Sequence, residues 1–179
     1  MVSFQPPENC RLDHWLICQL VEPGSRVLDL GCGTGDLLEL LTCEKGIHGS
    51  GVEVSEESVY ACVSKGLSVH HGDIDEGLSD YPDRSFDYVI LSQTLQEILH
   101  PGLVIKEMLR VGKKGIVGFP NFAHWRNRWQ LLFRGTTPTR QDPPSRWDET
   151  SSIQFMSIRD FERLCEDDRV RVVQKIFLS

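Results

Sequence analysis

VLDLGCGTG, residues 27–35, is the stretch on which the reading of the whole chain turns. An apolar run interrupted by one acid, Asp29, ends in glycines at 31, 33 and 35. The residues that follow, DLLELLTCEKG, have helical spacing and close on Gly46. This is a strand turning into a helix through backbone that excludes side chains. The local question is what comes so close at Gly31, Gly33 and Gly35, and why an acid stands in an otherwise apolar strand.

Outward from this turn the same unit recurs. Residues 10–21 place Leu12, Trp15, Leu16 and Leu20 on one helical face, and Pro23-Gly24 then forces a turn. IHGSGVEV (47–54) reads as a second strand, Ser55 as the cap of SEESVYACVSKG, and Gly66 as its exit. LSVHHG (67–72), FDYVILS (86–92) and KKGIVGFP (113–120) follow as strands, with helical segments in TLQEIL and GLVIKEMLRVG broken at His100-Pro101. Ser157 should cap SIRDFERLCEDD, and RVRVVQKIFL (169–178) reads as a sixth strand. Strands alternating with helices of about a dozen residues predict an α/β fold with a doubly wound, mostly parallel sheet and helices on both faces.

The chain has 179 residues, which suits one domain with a full core. Its formal charge of −7 argues against general nucleic-acid or anionic-membrane binding. The N-terminal MVSFQPPENC has no apolar signal-peptide core, and no apolar run reaches membrane-spanning length. Six cysteines (10, 18, 32, 43, 62 and 165) form no C-x-x-C pair and read as reduced thiols of a cytoplasmic protein. His70 and His71 are adjacent on a strand, point to opposite faces and cannot easily share a metal, so no metal site is expected.

In doubly wound sheets ligands bind beyond the carboxyl ends of the strands, where strand order reverses. The dinucleotide fingerprint would need glycine at 36, where this chain has Asp36, and acids at 29 and 36 would repel a pyrophosphate. An acid beside the glycines suits a ligand with a positive group, such as the α-ammonium of S-adenosylmethionine, whose carboxylate can use the N–H groups opening the helix. Glu53, at the end of the second strand, can accept from both ribose hydroxyls. In HHGDID, Asp73 can accept from the adenine amino group while Ile74 packs on the ring, with Asp75 the competing choice. The expected cofactor-binding set starts with Asp29, Gly31, Cys32, Gly33 and Gly35. Glu53, Val54, Asp73, Ile74 and Ser92 complete it. Cys32 lies near a helix N-terminus, which lowers a thiol pKa, although a small loop-filling role fits it as well.

VLDLGCGTG, GVEV, GDI and FDYVILS, in this order, resemble the motifs of class I S-adenosylmethionine-dependent methyltransferases over residues 25–120. A narrower resemblance rests on PGSRVLDLGCGTGDLL, FDYVILSQTLQ, EMLRVGKKGIVGFPNFAHWRNRWQLL and SIRDFERLC, which are similar to the MetW family of methionine-biosynthesis proteins. The resemblance implies a methyltransferase (Rossmann-like) fold, S-adenosylmethionine or S-adenosylhomocysteine as ligand, and a role beside a homoserine O-acyltransferase. Ser152-Ile153-Gln154 departs from the Asn-Ile-His-like stretch of the family, and the seventh, antiparallel strand of a methyltransferase is missing from the sequence.

Residues 121–152 break the alternation and read as a cap or lid insert within the single domain 1–179. NFAHWRNRWQLLFRGTTPTRQDPPSRW holds five arginines (126, 128, 134, 140 and 146) against Asp142 alone. Its first half suits a short amphipathic helix, and its proline-rich second half suits a lid or docking loop. Arg and Trp anchor interfaces, so Trp125, Arg126, Arg128 and Trp129, with Gln93 and His124, form the expected substrate or partner surface. Ser92, Gln93, His124 and Glu149 are the candidates for a methyl-acceptor pocket, and none is convincing as a base. Two classes of function follow: a cofactor-binding partner of the acyltransferase, or an active methyltransferase on a small molecule.

Overall fold

The computed structural model describes residues 10–136 and 154–178. Among them, five strands form one parallel sheet in the order β3-β2-β1-β4-β5. The strands are β1 (Arg26–Leu30), β2 (His48–Glu53), β3 (Ser68–His71), β4 (Phe86–Ser92) and β5 (Gly112–Gly118). The helices are α1 (Leu12–Leu20), α2 (Asp36–Lys45), α3 (Glu56–Ser64), α4 (Pro101–Val111), α5 (Trp125–Arg134) and α6 (Ile158–Asp167). No helix of the described residues is long and apolar enough to cross a membrane.

Local chemistry sets these boundaries. Gly35 (φ 79°) and Gly46 (φ 59°) bracket α2 in the left-handed region, and the Gly46 N–H closes the helix on Thr42 O. The Ser55 hydroxyl accepts from Ser58 N at 3.3 Å to start α3. Ser157 and Asp160 form a reciprocal capping box at α6. Pro101 opens α4, where its missing N–H leaves no gap in the hydrogen-bond ladder.

Side-chain alternation along β1 and β4 splits the core into two layers. Leu28, Leu30, Val89 and Leu91 pack with Val104, Ile105 and Met108 of α4, against which Phe161 and Leu164 of α6 also lie. Val27, Tyr88 and Ile90 pack on the other face with Ile17 and Val21 and with Leu37, Leu38 and Leu41 of α2. The architecture expected from the alternating pattern is therefore present.

The sixth strand is not. Residues 169–178 carry no strand and are largely exposed, Val173 at 86% and Phe177 at 69%. Arg169 takes a left-handed turn (φ 56°) after α6, and Lys175 then pairs with Glu162 of that helix. The alternating valines have strand propensity, but a strand also needs an edge to pair with. Here the turn directs the segment along α6 instead.

Candidate functional site

Successive crossovers run from β1 to β2 to β3 on one side, and the chain then returns to place β4 on the other side of β1. This reversal opens a crevice at the carboxyl ends of β1 and β4. A cleft of about 350 Å³ occupies it, lined by the glycine turn, the end of β2, the β3 exit and the loop after β4.

The three glycines play different parts. A Cβ on Gly31 would lie 2.4 Å from Thr94 Cγ2, and one on Gly35 would lie 2.5 Å from Leu67 Cδ1. Those two are excluded from carrying side chains by the protein itself. Gly33 (φ 54°) would meet nothing within 4 Å, so its bare backbone faces open cleft. The protein's own packing thus accounts for the missing side chains at Gly31 and Gly35, which corrects the expectation that a ligand excludes them at all three glycines; Gly31 and Gly33 line the cleft. Cys32 is a packing residue: its Sγ would sit 2.5 Å from a Cβ on Gly51, and it lies 4.0 Å from the Cys62 Sγ. Burial, with the Asp29 charge adding to it, raises the Cys32 thiol pKa, overriding the helix N-terminus that would lower it.

Asp29 is 2% exposed and has no hydrogen-bond partner among the described residues. Desolvation, reinforced by Glu53, pushes its pKa up to about 7. Glu53 is also buried, but its carboxylate accepts from Gly33 N (2.8 Å), Val54 N (3.0 Å) and Ser55 N (2.9 Å). A carboxylate has about four acceptor positions, so one remains for a ribose hydroxyl while Gly33 N stays bound. The expectation of two free positions is corrected accordingly.

At the β3 exit, Asp75 spends its carboxylate on Leu99 N (3.0 Å) and His100 N (2.9 Å). Asp73 uses one oxygen to cap the short turn at Asp75 N (2.8 Å), and its other oxygen has no protein donor among the described residues. Of the two acids left open in the sequence, Asp73 is the one with an oxygen unspent among the described residues. Ile74 is buried and lines the cleft beside it, and exposed Val54 lines the β2 side.

The loop after β4 supplies the remaining wall. The Ser92 Oγ is buried without a partner among the described residues, a position a ligand donor or acceptor would satisfy. Gln93 is held at φ 60°, strained for a residue other than glycine. Its N–H donates to Gly118 O (2.7 Å), and its carbonyl accepts from Gln96 Nε2 (2.6 Å). Gln154, the departure from the family pattern, donates through N to Gln96 O (2.7 Å) and through Nε2 to Ile98 O (3.0 Å), bracing this loop from behind.

The expected partner surface divides. Gln93 lies in the cleft, whereas exposed His124 is absent from its lining and precedes α5. No residue of α5 is buried; Trp125 is 60% exposed and Trp129 is 56% exposed. Trp129 stacks on Phe133 at 4.5 Å, and the Arg126 guanidinium lies 5.5 Å from the Trp125 ring centre. Arg126, Arg128 and Arg134 have no ion pair among the described residues. Arg140, Asp142, Arg146, Trp147 and Glu149 lie outside the described residues.

Sequence reasoning missed Arg11 and His14, which enter the cleft from α1, and Thr94, which explains Gly31. An Arg and a His three positions apart at a helix start were a signal for one shared face. Nothing in the sequence said which way that face pointed.

A family model described as "Methionine biosynthesis protein MetW" matches residues 11–179. The bifunctional methionine biosynthesis protein MetXA/MetW of Rhodopirellula baltica is 34% identical across 93% of this chain, which spans only 28% of that relative's length. A demethylmenaquinone methyltransferase of Bacillus cytotoxicus is 27% identical across 97% of this chain and 81% of its own. The crystal structure of a SAM-dependent methyltransferase from Thermotoga maritima superposes with a TM-score of 0.62 at 22% identity, covering 88% of this chain and 69% of that one. At that identity the likeness establishes the fold alone, a Rossmann-like sheet of the class I methyltransferase type.

Proposed function

The chain belongs to the MetW family of methionine biosynthesis proteins, and from that membership we propose that it binds S-adenosylmethionine or S-adenosylhomocysteine and acts with, or regulates, a homoserine O-acyltransferase. The observation that carries the ligand is the cleft itself. A buried carboxyl (Asp29) and a buried hydroxyl (Ser92), neither with a hydrogen-bond partner among the described residues, and an open glycine (Gly33) converge at the switch point of the sheet. In this proposal Asp29 receives the α-ammonium, Gly33 backs the chain of the ligand, Glu53 accepts from the ribose and Asp73 with Ile74 takes the adenine. When bound, the cofactor supplies a sulfonium-activated methyl group.

The partner proposal draws on two further observations. The MetW-type sequence in Rhodopirellula baltica is fused to MetXA, which supports a neighbouring methionine-biosynthesis enzyme as its companion. Exposed α5 offers an aromatic stripe edged by arginines on a chain whose net charge is −7, a surface suited to an acidic, apolar-centred site. Six free thiols agree with the cytoplasmic setting that such a partnership requires.

The test is a pull-down of purified homoserine O-acyltransferase by the wild type and by Arg126→Ala/Trp129→Ala, with S-adenosylhomocysteine calorimetry on both. The proposal expects the double variant to lose at least about 2 kcal/mol of partner affinity and to keep its nucleoside affinity. Equal retention by both proteins, or by neither, refutes docking through α5. A second reading, active methyl transfer to a small molecule, is favoured by the methyltransferase relative that this chain matches over most of its length. Under it, the same substitutions lower a methyl-transfer rate and leave no partner phenotype.

A further inference from the structure

Among the described residues, six acidic side chains line the cleft: Asp29, Asp36, Glu53, Asp73, Asp75 and Glu97. Against them stand one permanent cation, Arg11, and one titratable imidazole, His14. Both come from the opening turn of α1, where Arg11 is the N-cap residue and His14 lies three positions further on. The Arg11 guanidinium is steered by Asp13, which accepts from Nη2 at 2.5 Å and from Nε at 3.1 Å. Its Nη1 edge has no partner among the described residues. His14 is half-buried, and desolvation, with Arg11 beside it, lowers its pKa.

Asp36 faces the same wall and is held by Lys65 at 2.6 Å, which leaves it ionised where it opens α2. A ligand carboxylate placed against the α2 N-terminus alone would therefore meet a carboxylate. The opening turn of α1 also carries an acid, Asp13, but its carboxylate is spent on Arg11 and on His14 N (3.0 Å) and is absent from the cleft lining, which leaves the Arg11 Nη1 edge and the His14 imidazole as the α1 groups that face a ligand. The cleft lining is thus uneven, with carboxylates around the glycine turn and the donor groups of Arg11 and His14 at the α1 end. A zwitterionic tail fits that arrangement, with its ammonium at Asp29 and its carboxylate towards α1.

We propose that Arg11 and His14 form a carboxylate-binding wall that selects nucleosides bearing an amino-acid tail over nucleosides without one. This rests on the nucleoside reading of the cleft and adds the group that recognises the far end of the ligand. It adds a second set of donors for the ligand carboxylate beside the N–H groups that open α2.

The experiment compares S-adenosylhomocysteine with 5′-methylthioadenosine, which keeps the adenosine and thioether but lacks the amino-acid tail. Calorimetry on the full chain is run with wild type, Arg11→Met, Arg11→Lys and His14→Gln. Wild type should prefer S-adenosylhomocysteine. Arg11→Met should weaken that ligand about ten-fold or more and leave 5′-methylthioadenosine within about two-fold. Arg11→Lys should recover part of the loss, and His14→Gln should cost a few-fold on the same ligand only. Retained 5′-methylthioadenosine binding shows each variant to be folded. Loss of both ligands in parallel, no loss of either, or equal wild-type affinity for the two overturns the wall while leaving the nucleoside reading intact. Binding of neither by wild type overturns the nucleoside reading and the wall with it.

Discussion

Moving from about pH 6 to about pH 7 should tighten S-adenosylhomocysteine binding about five-fold, and Asp29→Asn should flatten that rise. Asp29 is buried, lacks a hydrogen-bond partner among the described residues and titrates near about 7 instead of 3.8. With that midpoint, about one carboxyl in eleven is ionised at pH 6 and about one in two at pH 7. An ammonium group docks against the ionised form, so affinity follows that fraction and levels off above pH 7. The apoprotein shows the converse. Because the folded-state pKa is raised, the folded chain binds the proton that the unfolded chain releases. That contribution to stability is full below about pH 4 and is lost as the pH rises through about 7. At about 1.4 kcal/mol per unit, the difference between 3.8 and about 7 amounts to about 4 kcal/mol. Asp29→Asn should therefore raise the apoprotein Tm by several degrees at pH 8 while weakening S-adenosylhomocysteine. Desolvation, with Arg11 beside it, lowers the His14 pKa, and its loss of charge with rising pH acts with the opposite sign toward a ligand carboxylate; the Asn variant separates the two. Calorimetry at four or five pH values, with 5′-methylthioadenosine as the ligand lacking an ammonium, is the assay. A flat wild-type profile, or the same rise in Asp29→Asn or with 5′-methylthioadenosine, refutes the reasoning.

Gly33→Ala should fold with a modest loss of about 1 kcal/mol from its positive φ, yet lose nucleoside binding, because its Cβ enters open cleft. Gly31→Ala should instead lower the Tm strongly in the absence of ligand, since its Cβ would collide with Thr94; matching behaviour of the two variants would refute the division of roles. Ser157→Ala removes the capping box of α6 and should cost about 1 kcal/mol in urea unfolding, with no change in nucleoside affinity.

The alternation of strand and helix, the glycine turn, the caps at Ser55 and Ser157 and the acids at 29, 53 and 73 were all readable from the chain, because each is a local matter. Periodicity, capping and backbone freedom are properties of a few consecutive residues. Strand order follows closely, since parallel crossovers allow few topologies. What only the tertiary structure decided depends on partners distant in sequence. Gly31 is a glycine because of Thr94, and Gly35 because of Leu67 and Cys62. That Asp75 is occupied while Asp73 keeps an unspent oxygen depends on Leu99 and His100, whose N–H groups bind the Asp75 carboxylate. Residues 169–178 have a strand-like pattern, but the turn at Arg169 and the contact with α6 settle their path. Arg11 and His14 line the cleft because α1 packs beside α2 and brings its opening turn to the carboxyl ends of the strands. A sequence states which side chains a helix carries on one face. Which site that face reaches is set by packing between elements far apart in the chain.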